Sequence, residues 1–270
     1  RRKAADLGRT IVLPESGDER MLRAAAAIAG EGFARVILLG DPQRIRADFA
    51  GLAVDTGRIE IVDPATDAER ERYAEVYLEK RRHKGMTAEK AVATLADPLF
   101  YGAMLVARGR ADGMVAGAVN ATGDVLRAAF QLIGTAPGCS LVSSCFVMVG
   151  AGWELGEDGM IVFGDCAVNP QPDAAQLADI AQATARTAAA LCGFEPRVAM
   201  LSYSTLGSGA GDDVGNRDAV EKIADHGCEA APDRFQAAGG AARAAVVARA
   251  HAVAELAVED VDVEGGHDLG

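Results

Sequence analysis

The chain has 270 residues, half of them hydrophobic and 24% charged, enough to bury a sizeable core in one large domain or two modest ones. With 39 acidic against 27 basic residues its formal net charge is -12, which argues against a nucleic-acid partner, because contacts along a phosphate backbone need a surplus of Lys and Arg. A small phosphorylated ligand stays compatible, since a few local arginines can hold one inside an acidic protein.

The cysteines, Cys139, Cys145, Cys166, Cys192 and Cys228, form no CxxC pair and fit no zinc spacing. They read as buried free thiols of a reducing compartment, and no metal is expected. No apolar run reaches transmembrane length, and no apolar signal segment follows Arg1-Arg2-Lys3. The expectation is a cytoplasmic protein without a membrane partner. The missing initiator Met points to a start inside a longer chain.

In chain order, RTIVLP (residues 9–14) predicts a short strand and the following ESGDERMLRAAAAIAGEGF a helix. RVILLGDP (35–42) predicts a second strand, and a helical stretch then leads to a third, IEIVDP (59–64). This alternation predicts parallel strands with helices packed on the sheet. Helices are expected over 67–83, 87–96 and 99–108, a short strand over 113–119 and a helix over 124–133. SLVSSCFVMV (140–149) reads as a buried strand, and a further strand covers 159–163. An Ala-rich helix over about 173–192, a strand over 197–204 and a helix over 214–225 follow. Beyond residue 226 the composition turns to Ala, Gly, Arg and acids, with no convincing strand; residues 243–257 read as an Ala-rich helix, and the last residues read as disordered.

Several segments, in order and spacing, resemble the phosphate acetyltransferase family. They are IVLPESGDERMLRAA (11–25), VILLGDP (36–42), IVDPATD (61–67), RRHKGMT (81–87), DGMVAGAVNATGDVLRAA (112–129), APGCSLVSS (136–144), FGDCAVNPQPDAAQLADIA (163–181) and RVAMLSYSTLGSGAGDDV (197–214). The set covers about residues 8–225. The resemblance implies an α/β, two-domain αβα sandwich of the isocitrate/isopropylmalate dehydrogenase-like type, with its C-terminal part missing or altered. It places a first domain at 1–136, an incomplete second domain at 137–226 and a divergent tail at 227–270. The implied reaction moves an acetyl group between acetyl phosphate and coenzyme A. Coenzyme A is a substrate, no cofactor is tightly bound, and the enzyme is a homodimer.

An acyl-phosphate site needs positive charge and N–H donors for the phosphoryl oxygens. Arg127 follows the small-residue loop 117–123 near the start of a predicted helix, where a phosphate would meet both a guanidinium and helix N–H groups. It also matches the family's arginine in this segment, so it is the candidate catalytic residue. The resemblance further implies substrate-binding roles for Arg81, Asn120, Thr122, Ser204, Thr205, Gly207 and Ser208. Three positions depart from the family pattern: Lys80 replaces a usual Leu, Asn120 a frequent His, and Leu206 a common Lys, removing one positive charge. Asp165 is expected to hydrogen-bond within its own loop rather than act as a base. His83, beside arginines, reads as solvated. The loop 204–209 is neither a phosphate-binding P-loop nor a GxGxxG fingerprint, which leaves a nicotinamide-dependent dehydrogenase unsupported.

No segment after residue 225 matches the NDLSRG-like motif that supplies the family's thiol-activating aspartate. A reading-frame change near residue 226 in a GC-rich gene would produce such a composition. The alternative reading is a non-catalytic acetyl-coenzyme A-sensing domain of a malic enzyme. In a coupled assay of acetyl-coenzyme A formation from acetyl phosphate, the 270-residue chain is expected to give little or no turnover; a rate in the ordinary enzyme range of about 1–1,000 per second would refute that expectation.

Overall fold

The computed structural model describes residues 1–50, 58–136, 139–153 and 156–202, together with the backbone of 235–239 and 243–247. The chain divides into two compact units, Arg1–Gly134 and Thr135–Gly270. In the first, α1 (Arg2–Leu7) precedes β1 (Thr10–Leu13), α2 (Glu19–Glu31), β2 (Arg35–Leu39), α3 (Pro42–Phe49) and β3 (Ile59–Val62). Then come α4 (Arg70–Arg81) with a 3-10 turn at Arg82–Lys84, α5 (Ala88–Thr94), α6 (Pro98–Ala107), β4 (Gly113–Met114) and α7 (Thr122–Leu132).

Helix starts here are written in the local sequence. Asp18, Asp41 and Asp97 each accept a hydrogen bond from the backbone N–H two residues on, and Pro42 and Pro98 occupy first helical positions where no N–H is missed. Gly32 closes α2 in the left-handed conformation.

The strands pair in parallel in the order β3-β2-β1-β4. Alternation along them splits the core between two faces. Leu13, Val36 and Leu38 pack with Met21, Leu22 and Ala25 of α2 and Ile45 and Phe49 of α3. Val12, Ile37 and Leu39 face Tyr73 and Tyr77 of α4 and the apolar α6. A parallel sheet covered on both sides explains why its strands read as continuous apolar runs. The predicted strand over 113–119 is confined to Gly113–Met114, because the chain then turns to form a loop, described below.

In the second unit, β5 (Cys145–Val149), β6 (Met160–Gly164), α8 (Ala174–Cys192) and β7 (Val198–Ser202) are followed by β8 (Phe235–Gly239) and β9 (Arg243–Val247). The sheet order is β5-β6-β9-β7-β8. Among the described residues of this unit β7 and β8 run parallel and the other pairs are antiparallel, unlike the parallel first sheet. The connection over 150–159 is too short for a helical crossover, so β5 and β6 must reverse direction. Helix α8 starts with an Asp173–Gln176 capping box and buries Leu177, Ile180 and Ala181 against Val162, Val198 and Met200.

Three further expectations are corrected. The stretch over 140–149 is strand only from Cys145, and it is not buried: Phe146 and Val149 are 59% and 68% exposed, because β5 ends the sheet with a neighbour on one side only. The tail after residue 226 does contain strands. Residues 243–247, read as helix from their alanines, pair instead with β6 and β7, a case of non-local pairing overriding weak local preference. Cys139, Cys145, Cys166 and Cys192 are free and half-buried rather than buried. The predicted helix over 214–225 lies outside the described residues. Among those described, no single helix is long and apolar enough to cross a membrane.

Helix α6 can lie against the first sheet because Gly102 has no side chain: a Cβ there would stand 2.8 Å from Met114 Sδ and 3.1 Å from Val12 Cγ1. Gly102→Val is expected to cost about 1–3 kcal/mol by overpacking, read as a lower urea midpoint in circular dichroism; an unchanged midpoint would show that the contact is not tight.

Candidate functional site

In an open parallel sheet, ligands gather at the carboxyl ends of the strands where the strand order reverses direction. In the first unit that point lies between β1 and β4. Glu15 leaves the end of β1, and the loop 115–121 leaves the end of β4 and leads into α7. The two are joined through one carboxylate. Glu15 Oε2 accepts the N–H groups of Gly117 and Ala118 at 2.9 and 2.8 Å. Its Oε1 accepts the N–H groups of Val119 and Asn120 at 3.0 and 2.7 Å and the Asn120 side-chain amide at 2.9 Å. Glu15 is 7% exposed. Burial acts to raise its pKa, but the donors from Asn120, Val119 and Ala118 outweigh it and hold the group down to about 2.

The candidate residues of the first unit are distributed around α7. Asn120 lies just before the helix with its amide committed to Glu15, and Thr122 is the first helical residue. Arg127 follows on the same helix, exposed, and pairs with Asp124 one turn earlier. The N–H groups of residues 117–120, to which sequence reasoning assigned no role, serve Glu15. Arg81 ends α4, and its buried Nε has no hydrogen-bond partner among the described residues. The end of α4 meets the end of α7, where Lys80 Nζ donates to Leu132 O at 2.5 Å and the Tyr77 hydroxyl donates to Gln131. Ser204, Thr205, Gly207 and Ser208 lie outside the described residues. A groove of about 640 Å³ lined by Asp67, Arg70, Glu71 and Glu75 contains none of the candidates. No group of three or more metal-ligating side chains is found among the described residues.

The second unit repeats the device. Asp165, 7% exposed, accepts from Ser144 N at 2.8 Å and from the Ser144 hydroxyl. It also accepts Asn169 N at 2.5 Å and the Asn169 amide at 2.7 Å. Here too burial pushes the pKa up, and the Ser144 and Asn169 donors bring it down to about 2. Sequence reasoning gave Asp165 this loop role but missed Glu15. The segment PESGDER was visible, yet the partners of Glu15 lie more than a hundred residues away.

Both carboxylates are depressed in the folded state, from 4.5 and 3.8 to about 2. Each stabilises fully above its unfolded value, and that contribution is lost as pH falls through the folded one. Urea unfolding is expected to show stability declining between about pH 4.5 and pH 2, on the order of 2–3 kcal/mol for each group. Glu15→Gln and Asp165→Asn should each be less stable at pH 7 and flatter across that window; a slope equal to that of the unmodified chain would contradict the assignment.

The chain can now be compared with known proteins. The sequence profile of the family described as "Phosphate acetyl/butaryl transferase" matches residues 1–250. It is 47% identical to the phosphate acetyltransferase of Clostridium acetobutylicum over 212 residues, covering 78% of this chain and 64% of that one. The same identity holds over 212 residues of the Escherichia coli phosphate acetyltransferase, covering 78% of this chain and 28% of that one. Among solved structures, the EutD phosphotransacetylase from Staphylococcus aureus superposes with a TM-score of 0.73 at 37% identity, covering 88% of this chain and 69% of that one. A phosphotransacetylase from Streptococcus pyogenes gives 0.75 at 35%, covering 84% and 68%. The chain thus spans less than two thirds of the length of the first curated relatives it matches. By sequence and by α/β fold, the chain belongs to the phosphate acetyl/butaryl transferase family.

Proposed function

We propose that the reaction this protein is built for is transfer of an acetyl group between acetyl phosphate and coenzyme A, with little turnover expected of these 270 residues, in which the NDLSRG-like motif finds no match. The coenzyme A sulfur forms the new bond to the acetyl carbon as the bond to the phosphate oxygen breaks, and phosphate leaves. The observation that carries this reading is the family membership taken with α7, which offers Arg127 and Thr122 beside the sheet's switch point. Arg81 adds a cationic group whose buried Nε has no acceptor among the described residues, and whose guanidinium is of the type that pairs with a phosphoryl oxygen. Asn120, held by Glu15, lies next to Thr122; Ser204, Thr205, Gly207 and Ser208 are assigned to substrate by family resemblance alone.

In this reading coenzyme A is a substrate and no cofactor is tightly bound. The two units correspond to domains at about 1–136 and 137–226 (the second incomplete), of the isocitrate/isopropylmalate dehydrogenase-like αβα type, with 227–270 divergent. The working form is a cytoplasmic homodimer without nucleic-acid or membrane partners. The regulatory-domain alternative draws no support from the relatives, which are named for the transferase.

The test separates binding from turnover. In calorimetric titration acetyl phosphate binds the unmodified chain, and Arg127→Ala weakens it about 10- to 100-fold, the worth of one charge-assisted hydrogen bond of about 1.5–3 kcal/mol. Equal binding by the variant would remove Arg127 from the site, and no binding by the unmodified chain would overturn the reading.

A further inference from the structure

The loop between β4 and α7 is short of internal support. It consists of Gly, Ala and Val residues and Asn120; Ala116 and Ala118 touch the core, but Val115 and Val119 are 56% and 70% exposed, so packing holds it only in part. Four successive backbone N–H groups and one side-chain amide turn inward instead, onto the single carboxylate of Glu15. On the opposite polarity, Arg20 donates to Ala118 O at 2.6 Å while its guanidinium is fixed by Asp18. The loop is therefore clamped through its donors by Glu15 and through a carbonyl by Arg20, both from the segment after β1.

We propose that Glu15 is the positioning residue of the acyl-phosphate subsite: it does not touch the substrate but fixes the loop 117–120, and with it the entry of α7, so that Thr122 and Arg127 are presented in one arrangement. The inference rests on the function proposed above. The concave face made by successive N–H groups is the usual receptacle for an anion, and here the protein's own carboxylate fills it. Phosphate recognition is then left to the side chains and first-turn N–H groups beyond residue 120.

The chemistry requires a carboxylate. The two oxygens of the carboxylate, with about four lone-pair sites, are shared by the five donors, whereas glutamine offers one oxygen and turns an N–H₂ toward backbone N–H groups. Glu15→Gln strands donors without removing volume. Glu15→Asp keeps the charge but withdraws it by one methylene.

The experiment measures acetyl phosphate affinity by calorimetry and amide hydrogen exchange at residues 117–120 in the unmodified chain and both variants. Glu15→Gln is expected to accelerate exchange at 117–120 at least tenfold and to weaken acetyl phosphate at least tenfold. Glu15→Asp is expected to lie between the two and to keep the fold should the glutamine variant fail to fold. Faster loop exchange with unchanged acetyl phosphate affinity in either folded variant would reduce Glu15 to a structural role and overturn the inference. Unchanged exchange in a folded variant would overturn it as well. Failure of the unmodified chain to bind acetyl phosphate would overturn the proposed function and this inference together, and is distinguished from the former outcomes by occurring without any substitution.

Discussion

A carboxylate buried inside a ring of backbone N–H groups is the interaction on which each half of this protein is built. In the first unit Glu15 closes the loop between β4 and α7; in the second Asp165 closes the loop after β6 onto Ser144. Each recruits both the backbone and side-chain amides of an asparagine, Asn120 or Asn169. Burying a charge is costly unless its lone pairs are filled, and here several donors fill them. The arrangement fixes irregular chain segments that have little apolar surface of their own to bury.

Much of this was legible locally. Asp-Pro pairs at residues 41–42 and 97–98, and the Asp173–Gln176 box, mark helix starts because capping needs only neighbours within three residues. The apolar runs at Thr10–Leu13 and Arg35–Leu39 read as buried parallel strands for the same reason of composition. What failed depended on distant chain. The run at Cys145–Val149 has a core strand's composition but ends its sheet, and the alanines of Arg243–Val247 join a ladder with Ile161–Gly164. Glu15 belongs to the same class: nothing within ten residues of it discloses that its partners are residues 117–120.

The site was legible in part, and through a different route. Arg127 and Arg81 stood out as cations near helix ends in an acidic chain; Arg127 lies on α7, and Arg81 ends α4, where the neighbouring Lys80 reaches the last turn of α7. The loop before α7 drew notice only for its small residues ahead of Arg127, with no role given to its own N–H groups. Its donors are consumed internally, so the same glycine and alanines serve a protein carboxylate. Family resemblance carried the functional reading across this gap, since ordered motifs survive where the use of each N–H cannot be deduced.

Helix α7 is gripped at both ends, by the Glu15-held loop before it and by Lys80 and Tyr77 of α4 at its last turn. Over its 11 residues it is a strut about 16 Å long, tied at each end by hydrogen bonds. The Arg127 guanidinium is by contrast exposed and tied only to Asp124. Under the proposed function, capturing a dianion would mean swinging this side chain from a weak solvent-screened partner, worth roughly 0–1 kcal/mol, to a stronger one. Helix α7, already formed, adds no backbone ordering cost of about 1–2 kcal/mol per residue to such a capture.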